Sequence, residues 1–281
     1  MNPLDTPLGY SSNFLFVPGT RPDRFLKAFD SGADTVVLDL EDAVAEEEKV
    51  NARNAIRAAW PSFTQEQKQR LAIRSNSPGS KFYSADLILA QDLSVTCLVI
   101  PKSESLDQIN GAAAILPNTA IVPMIETAIG LSKINEIANS NQVLRLALGN
   151  LDLQADLGMV CDPQETQLQT ARFQIVLASR LARIAPPIDG VTPSTDDVTR
   201  ITDDAQRAKA MGFGGKLCIH PKQVPIVKAT FMPTADETAW ANRVIEADTA
   251  SKGGTVKLDG RMIDRPAVLL ARRTIALAGK H

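Results

Sequence analysis

Eight times in succession a short apolar run is followed by more polar chain, and a stretch of helical periodicity separates each run from the next; no other feature limits the fold of this chain as much. The runs are residues 13–19 (NFLFVPG), 35–42 (TVVLDLED), 70–76 (RLAIRSN), 97–102 (CLVIPK), 120–126 (AIVPMIE), 145–150 (RLALGN), 187–192 (PIDGVT) and 215–220 (GKLCIH). The helical stretches between them cover roughly 22–31, 46–59, 80–91, 105–115, 128–138, 165–184 and 196–211. Strands alternating with helices of this length predict βαβ units and a parallel sheet. The runs are near-continuously apolar, as strands are when helices cover one face and other strands' side chains fill the other. Eight units in about 210 residues predict a closed (β/α)8 barrel, the TIM-barrel form of the α/β class. Counting alone leaves a doubly wound open sheet as the alternative. No Gly-x-Gly-x-x-Gly follows the first run, which weakens a dinucleotide-binding reading.

Beyond residue 220 the pattern changes. A helix is expected over about 234–251, a hairpin or extended loop in the glycine-rich stretch 252–264 (KGGTVKLDGRMID), and a last helix over about 266–278. The expected organisation is a barrel over 1–230 and a C-terminal extension, 231–281, packing on the barrel or on a neighbouring subunit.

Composition removes several function classes. The chain carries 30 basic and 32 acidic residues with no basic tail or stripe, so nothing resembles a nucleic-acid footprint. No apolar run approaches the roughly 20 residues a membrane-spanning helix needs. The opening MNPLDTPLGYSSN has neither a positive n-region nor a long apolar h-region, so no secretory signal is expected and the reading is a soluble, cytoplasmic protein. Cys97, Cys161 and Cys218 are few, widely spaced and near apolar runs; they read as reduced, mostly core thiols without zinc-ligand spacing.

In a barrel the C-terminal strand ends carry the chemistry, and here those ends are charged. The second run ends in Asp39, Glu41 and Asp42, the third in Arg74 and Asn76, the fourth in Lys102, the fifth in Glu126; Asp152 follows the sixth closely and His220 ends the eighth. Any one such charge is as often a solvated loop residue. Together they resemble a mouth built for an anionic ligand and a cation. Glu126 and Asp152, on consecutive strands, are placed to share a hard divalent cation such as magnesium, which takes a few carboxylate oxygens and keeps waters and ligand oxygens for the rest. A metal-free carboxylate pair doing acid–base work is the alternative. Arg74 suits a charge-assisted contact with a carboxylate or enolate oxygen, or a structural ion pair with Glu41 or Asp42. Asp156 reads as the start of a helix. His220 reads as a packed strand-end residue and His281 is terminal, which leaves no obvious histidine for proton transfer.

Residues 14–42 (FLFVPGTRPDRFLKAFDSGADTVVLDLED) resemble the opening of citrate lyase beta-subunit-like proteins, which sit with malyl-CoA and citramalyl-CoA lyases in a broad aldolase superfamily. The resemblance continues, in order, through AVAEEEKVNAR (43–53), IRSNSPG (73–79), VIPKSES (99–105), PMIETAIG (123–130), LGNLDLQADLG (148–158), GGKLCIHPKQ (214–223) and LDGRMIDRPAVLLAR (258–272). It implies a (β/α)8 barrel, oligomeric as a homotrimer or a multiple of one, with magnesium held by Glu126 and Asp152. It implies a catalytic role for Arg74, and substrate or thioester-carrier contacts from Arg21, Arg74, Glu41 and Asp42, the last two in an acidic cluster steadied by Lys27 and Lys102. In the lyases the aspartate of the C-terminal Gly-x-Met-(Ile/Val)-Asp motif comes from an adjacent subunit as an acid–base residue; the match is Asp264. Three departures stand out. The usual Arg-Val-Asn is Arg74–Ser75–Asn76, and Asn150 and Leu151 replace the small residues or extra acid before the metal aspartate. The chain is also shorter than the true malyl-CoA lyases.

The implied function is a magnesium-dependent carbon–carbon lyase cleaving a 3-hydroxyacyl thioester (citryl-, malyl- or citramalyl-CoA-like, on coenzyme A or an acyl carrier) into an acyl thioester and an oxo acid. The alternatives are a metal-dependent pyruvate aldolase, a malyl-thioester thioesterase and a non-catalytic subunit. An aldolase of that type would use a histidine base early in the chain, and none precedes His220.

Overall fold

A computed structural model describes residues 6–251 and 255–279. The first five residues of the opening segment, the Lys-Gly-Gly at 252–254 and the terminal His281 lie outside the described residues.

Eight strands pair in sequence order, all parallel, and the eighth closes on the first: β1 (Asn13–Pro18), β2 (Thr35–Asp39), β3 (Leu71–Arg74), β4 (Cys97–Ile100), β5 (Ala120–Ile125), β6 (Ala147–Leu148), β7 (Ile188–Asp189) and β8 (Gly215–Cys218). The (β/α)8 barrel predicted from the repeat pattern is therefore the observed fold, and the open-sheet alternative falls. Alternation along each strand sends every second side chain into the barrel. Phe14, Val37, Ala72, Cys97, Val99, Val122, Met124, Ala147, Ile188 and Leu217 form one buried interior cluster. The same period carried to the C-terminal ends points Asp39 and Arg74 inward, and Asp39 and Arg74 are register partners across β2 and β3.

The connecting helices follow the sequence with local differences. The 128–138 stretch is two helices, Ala128–Ser132 and Ile134–Ala138, and the long sixth stretch starts as a single 3-10 turn, Thr166–Leu168, before the helix Gln169–Leu181. Capping boxes at Thr64/Gln67 and Ser105/Gln108 fix two helix starts by satisfying otherwise orphaned N–H groups. Four helices have no counterpart in the sequence reading: Asn150–Asp156, directly after β6, Gln223–Phe231, after β8, and the short helices Pro7–Tyr10 and Gln65–Gln69. Asp156 ends the first of these instead of starting a helix, a correction to the expectation above.

At the opposite end of the barrel Arg145 is fully buried. It donates to the carbonyls of Pro186, Leu8 and Ser11 and stacks on Phe14, and burial pulls its pKa down to about 9. The cysteines are all free. Cys97 and Cys218 are buried, with thiols pushed up to about 12 by desolvation, so neither is a nucleophile near neutrality.

The chain divides into two compact units, Met1–Ala229 and Thr230–His281. The second consists of a helix (Ala235–Ala250), a hairpin of β9 (Val256–Leu258) and β10 (Arg261–Ile263), and a helix (Arg265–Ala278). Asp259 and Gly260 both adopt positive φ, 49° and 81°, as a tight two-residue hairpin turn requires. Ala241, Val244, Ile263, Val268 and Ala271 form this unit's own core. No helix among the described residues is long and apolar enough to cross a membrane.

Candidate active site

The barrel mouth is organised around Arg74. Its Nε donates to Asp39 Oδ1 at 2.7 Å and its Nη2 to Asp39 Oδ2 at 2.6 Å, a two-point bond between inward-facing neighbours on adjacent strands. The guanidinium lies over the Phe16 ring, 4.6 Å from its centre. Its remaining nitrogen, Nη1, stands 3.0 Å from Glu41 Oε2, as an ion pair without hydrogen-bond geometry, and donates a long 3.4 Å bond to Asp42. Three carboxylates raise the pKa of Arg74 further against the opposing pull of burial, so it remains a cation throughout. Glu41 is buried and its other oxygen accepts from Lys102 Nζ at 2.9 Å. Beneath this cluster, Lys49 donates to the carbonyls of Leu40 and Glu41 at 2.7 and 2.6 Å, tying down the loop that carries the acids.

Glu126, just past β5, is 1% exposed. Lys102 adopts φ 47°, and this left-handed turn aims its N–H at Glu126 Oε1, 2.7 Å away. A Cβ at position 149 would fall 2.0 Å from Glu126 Oε2, so only glycine allows the carboxylate to lie against the end of β6. Burial first, then the neighbouring Glu41 and Asp152, push the Glu126 pKa up to about 7, although the Lys102 N–H opposes them. Asp152 sits in the first turn of the helix after β6, with its side chain 45% exposed and 3.9 Å from Lys102 Nζ.

A second buried polar network, which sequence reasoning missed, supports this rim. The side-chain amide of Asn150 pairs with the backbone of Val191, accepting from its N–H at 2.9 Å and donating to its carbonyl at 3.1 Å. The same amide donates to Glu165 Oε1 at 2.8 Å. Glu165, held at φ 50°, also pairs with Arg172 and Arg207, and Arg172 reaches Asp189 at 2.8 Å. This network clamps the first residue of the helix that presents Asp152.

Arg74, Asp42, Glu126 and Asp152 line one cavity of about 380 Å³ at the mouth, together with Asp39 and Asn150. Glu41 bridges Arg74 and Lys102. The other expected residues lie elsewhere. Arg21 forms an exposed pair with Asp23 at 2.9 Å and does not line the cavity. Asn76 turns to the buried Asp86, at 2.7 Å. Lys27 is exposed; Lys102 holds the Glu41 carboxylate, and Lys49 holds the backbone of Leu40 and Glu41, although the sequence around it, EEEKVNAR, reads as an ordinary charged helix start. His220 accepts from the Lys222 N–H through Nδ1 and does not line the cavity. Asp264 belongs to the C-terminal unit, where it caps the last helix by accepting from the Ala267 N–H at 3.2 Å.

Among the described residues no three His, Cys, Asp or Glu side chains converge to cage an ion by themselves. The mouth offers a cation two oxygen-only donors, Glu126 and Asp152. Five carboxylates (Asp39, Glu41, Asp42, Glu126, Asp152) face three cations (Arg74, Lys102, Lys49), an excess of two negative charges once Glu126 gives up its proton. That donor set and that excess fit a hard divalent ion that completes its shell with waters and ligand oxygens.

The comparisons agree with this geometry. Residues 13–221 match the HpcH/HpaI aldolase/citrate lyase family. A citrate lyase subunit beta-like protein from Mycobacterium tuberculosis is 34% identical over 273 residues, 95% of each chain. A (3S)-malyl-CoA thioesterase from Cereibacter sphaeroides is 31% identical over 268 residues, 94% of this chain and 93% of that one. The crystal structure of protein CitE from Mycobacterium tuberculosis in complex with magnesium, acetoacetate and coenzyme A superposes with a TM-score of 0.85 at 32% identity, covering 96% of this chain and 99% of that one. With a closed barrel, an acidic mouth and a match that runs from β1 past β8, this chain belongs to the HpcH/HpaI aldolase/citrate lyase family and is an enzyme of that class.

Proposed function

We propose that the protein is a magnesium-dependent carbon–carbon lyase that cleaves a 3-hydroxyacyl-CoA thioester into an acyl-CoA and an oxo acid. The observation that carries this reading is the placement of Glu126, Asp152 and Arg74 around one cavity at the barrel mouth. Held by Glu126 and Asp152, magnesium supplies Lewis-acid polarisation of the hydroxyl-bearing acid half of the substrate. Lys102 fixes the bearing of Glu126 through its N–H. As the hydroxyl proton passes to a water molecule in the open mouth, a carbonyl forms on its carbon, the adjacent carbon–carbon bond breaks, and its electron pair passes to the thioester half as an enolate. Arg74 Nη1 is the nitrogen for that enolate oxygen: its long bond to the exposed Asp42 is the weakest the guanidinium makes, while the double bond to Asp39 holds the rest of the group still. Asp264 delivers the proton to the enolate carbon, from the C-terminal extension of an adjacent protomer in a homo-oligomer. Coenzyme A as carrier is supported by the similar structure that holds it.

A thioesterase is the second reading, favoured by the similarity to proteins named (3S)-malyl-CoA thioesterase. A water attacking the thioester carbonyl would release free coenzyme A and an intact hydroxy acid. Chromatography of the products separates the readings: a lyase releases an acyl-CoA and an oxo acid in equal amounts, and loses both products when magnesium is chelated.

A further inference from the structure

Lys102 meets the two candidate metal ligands with different parts of itself. Its N–H donates to Glu126 Oε1 at 2.7 Å, and its ammonium stands 3.9 Å from Asp152 Oδ2. Asp152 makes no other ion pair among the described residues. The same ammonium donates to Glu41 Oε1 at 2.9 Å, and Glu41 Oε2 lies 3.0 Å from Arg74 Nη1. A chain of alternating charges therefore crosses the mouth, from Asp152 through Lys102 and Glu41 to Arg74. We infer that Lys102 is an exchange lysine: its ammonium is shared between Asp152 and Glu41 in the metal-free site, yields Asp152 to magnesium, and by settling on Glu41 loosens the hold of Glu41 on Arg74 Nη1. The inference rests on the magnesium-dependent lyase reading for the metal ligands and for the role of Arg74.

The two partners of the ammonium are unequal. At 3.9 Å the contact with Asp152 is an ion pair too long for a hydrogen bond, and the Asp152 side chain is 45% exposed. The contact with Glu41 is a hydrogen bond to a side chain only 8% exposed. Attraction between charges is weakest where water screens it, so the ammonium gives up Asp152 at little cost and keeps Glu41. A divalent cation on Asp152 enforces that choice, because it repels a neighbouring ammonium of like charge. At the far end of the chain, Glu41 Oε2 is buried without a hydrogen-bond partner, so Arg74 Nη1 is held there by charge alone. The nearer Lys102 comes to neutralising Glu41, the weaker that hold becomes. Nη1 is then left with its 3.4 Å bond to the exposed Asp42 and is open to an enolate oxygen. A lysine that served only to neutralise Glu41 would support metal binding and turnover alike. An exchange lysine opposes the first and serves the second.

The test compares the full-length wild type with Lys102→Met and Lys102→Arg. Magnesium binding is titrated by calorimetry without substrate, and kcat is measured at saturating magnesium. In Lys102→Met the expected result is a pair of opposed changes: magnesium binds at least about tenfold tighter, and kcat falls at least about tenfold. Lys102→Arg, which keeps the charge, binds magnesium within about threefold of the wild type. Damage to the fold cannot imitate this pattern, because it would not tighten metal binding. Unchanged or weaker magnesium binding in Lys102→Met, or a kcat equal to the wild type's, overturns the inference. A wild type that binds no magnesium, or that releases no acyl-CoA and oxo acid, fails the lyase reading and takes the inference with it. A wild type that does both, beside a variant without the opposed changes, fails the inference alone.

Discussion

Glu126 is a carboxylate in a place where a carboxylate is costly. Burial and two neighbouring acids raise its pKa from 4.5 to about 7. In the unfolded chain it ionises near 4.5 and in the metal-free fold near 7, so the fold binds the extra proton between those values. Stability gained at low pH is lost as the pH rises from about 4.5 to about 7, by on the order of 3 kcal/mol for this group. A cation must displace the same proton. Apparent magnesium affinity should therefore climb about tenfold per pH unit below about 7 and level off above it, as calorimetric titrations across pH would record. A flat profile would remove Glu126 from the ligand set. Glu126→Gln should weaken magnesium binding at least about a hundredfold while raising the melting temperature of the metal-free protein above neutral pH. The strand-end positions of Arg74 and Glu126 were legible in the sequence because an apolar run that stops at a charge marks the barrel rim. Asp39 as the partner that locks Arg74, and Lys49 beneath Glu41, were not. Pairing across strands depends on register, and a buried lysine in a charged helix start looks like any exposed one.

At the scale of elements, the helix Asn150–Asp156 is the least legible and the most consequential. Seven residues are too few for a helical period to declare itself, and its anchor, Glu165, comes from a loop in left-handed backbone. The helix Gln223–Phe231 was hidden for a different reason: its apolar residues spread around the axis and Pro225 interrupts the pattern. If the Asn150 clamp positions Asp152, Asn150→Ala should weaken magnesium binding about tenfold and leave kcat at saturating magnesium nearly intact. A loss of kcat with unchanged magnesium affinity would speak against that role. Arg172→Met would leave Glu165 only Arg207 and Asp189 only Lys216 as a cation in the interior, at a cost of about 1–3 kcal/mol in denaturant unfolding.

For the whole molecule, the repeat of eight apolar runs was enough to specify the barrel, because each strand must be covered outside by its helix and filled inside by its neighbours. The C-terminal unit is a different kind of structure, a helix pair and hairpin around a small core, and Asp264 is embedded in it as a helix cap. Its proposed role separates from metal binding. Asp264→Asn should lower turnover by about 10²- to 10⁴-fold and leave magnesium affinity unchanged; unchanged turnover would take Asp264 out of the mechanism. The most direct measurement is a cleavage assay of the full-length enzyme with citryl-, malyl- and citramalyl-type 3-hydroxyacyl-CoA thioesters, with magnesium and with chelator, in which every product is identified. Lyase chemistry predicts acyl-CoA and oxo acid in equal amounts, both abolished by chelator. Free coenzyme A with an intact hydroxy acid, or cleavage that chelator leaves untouched, would contradict it.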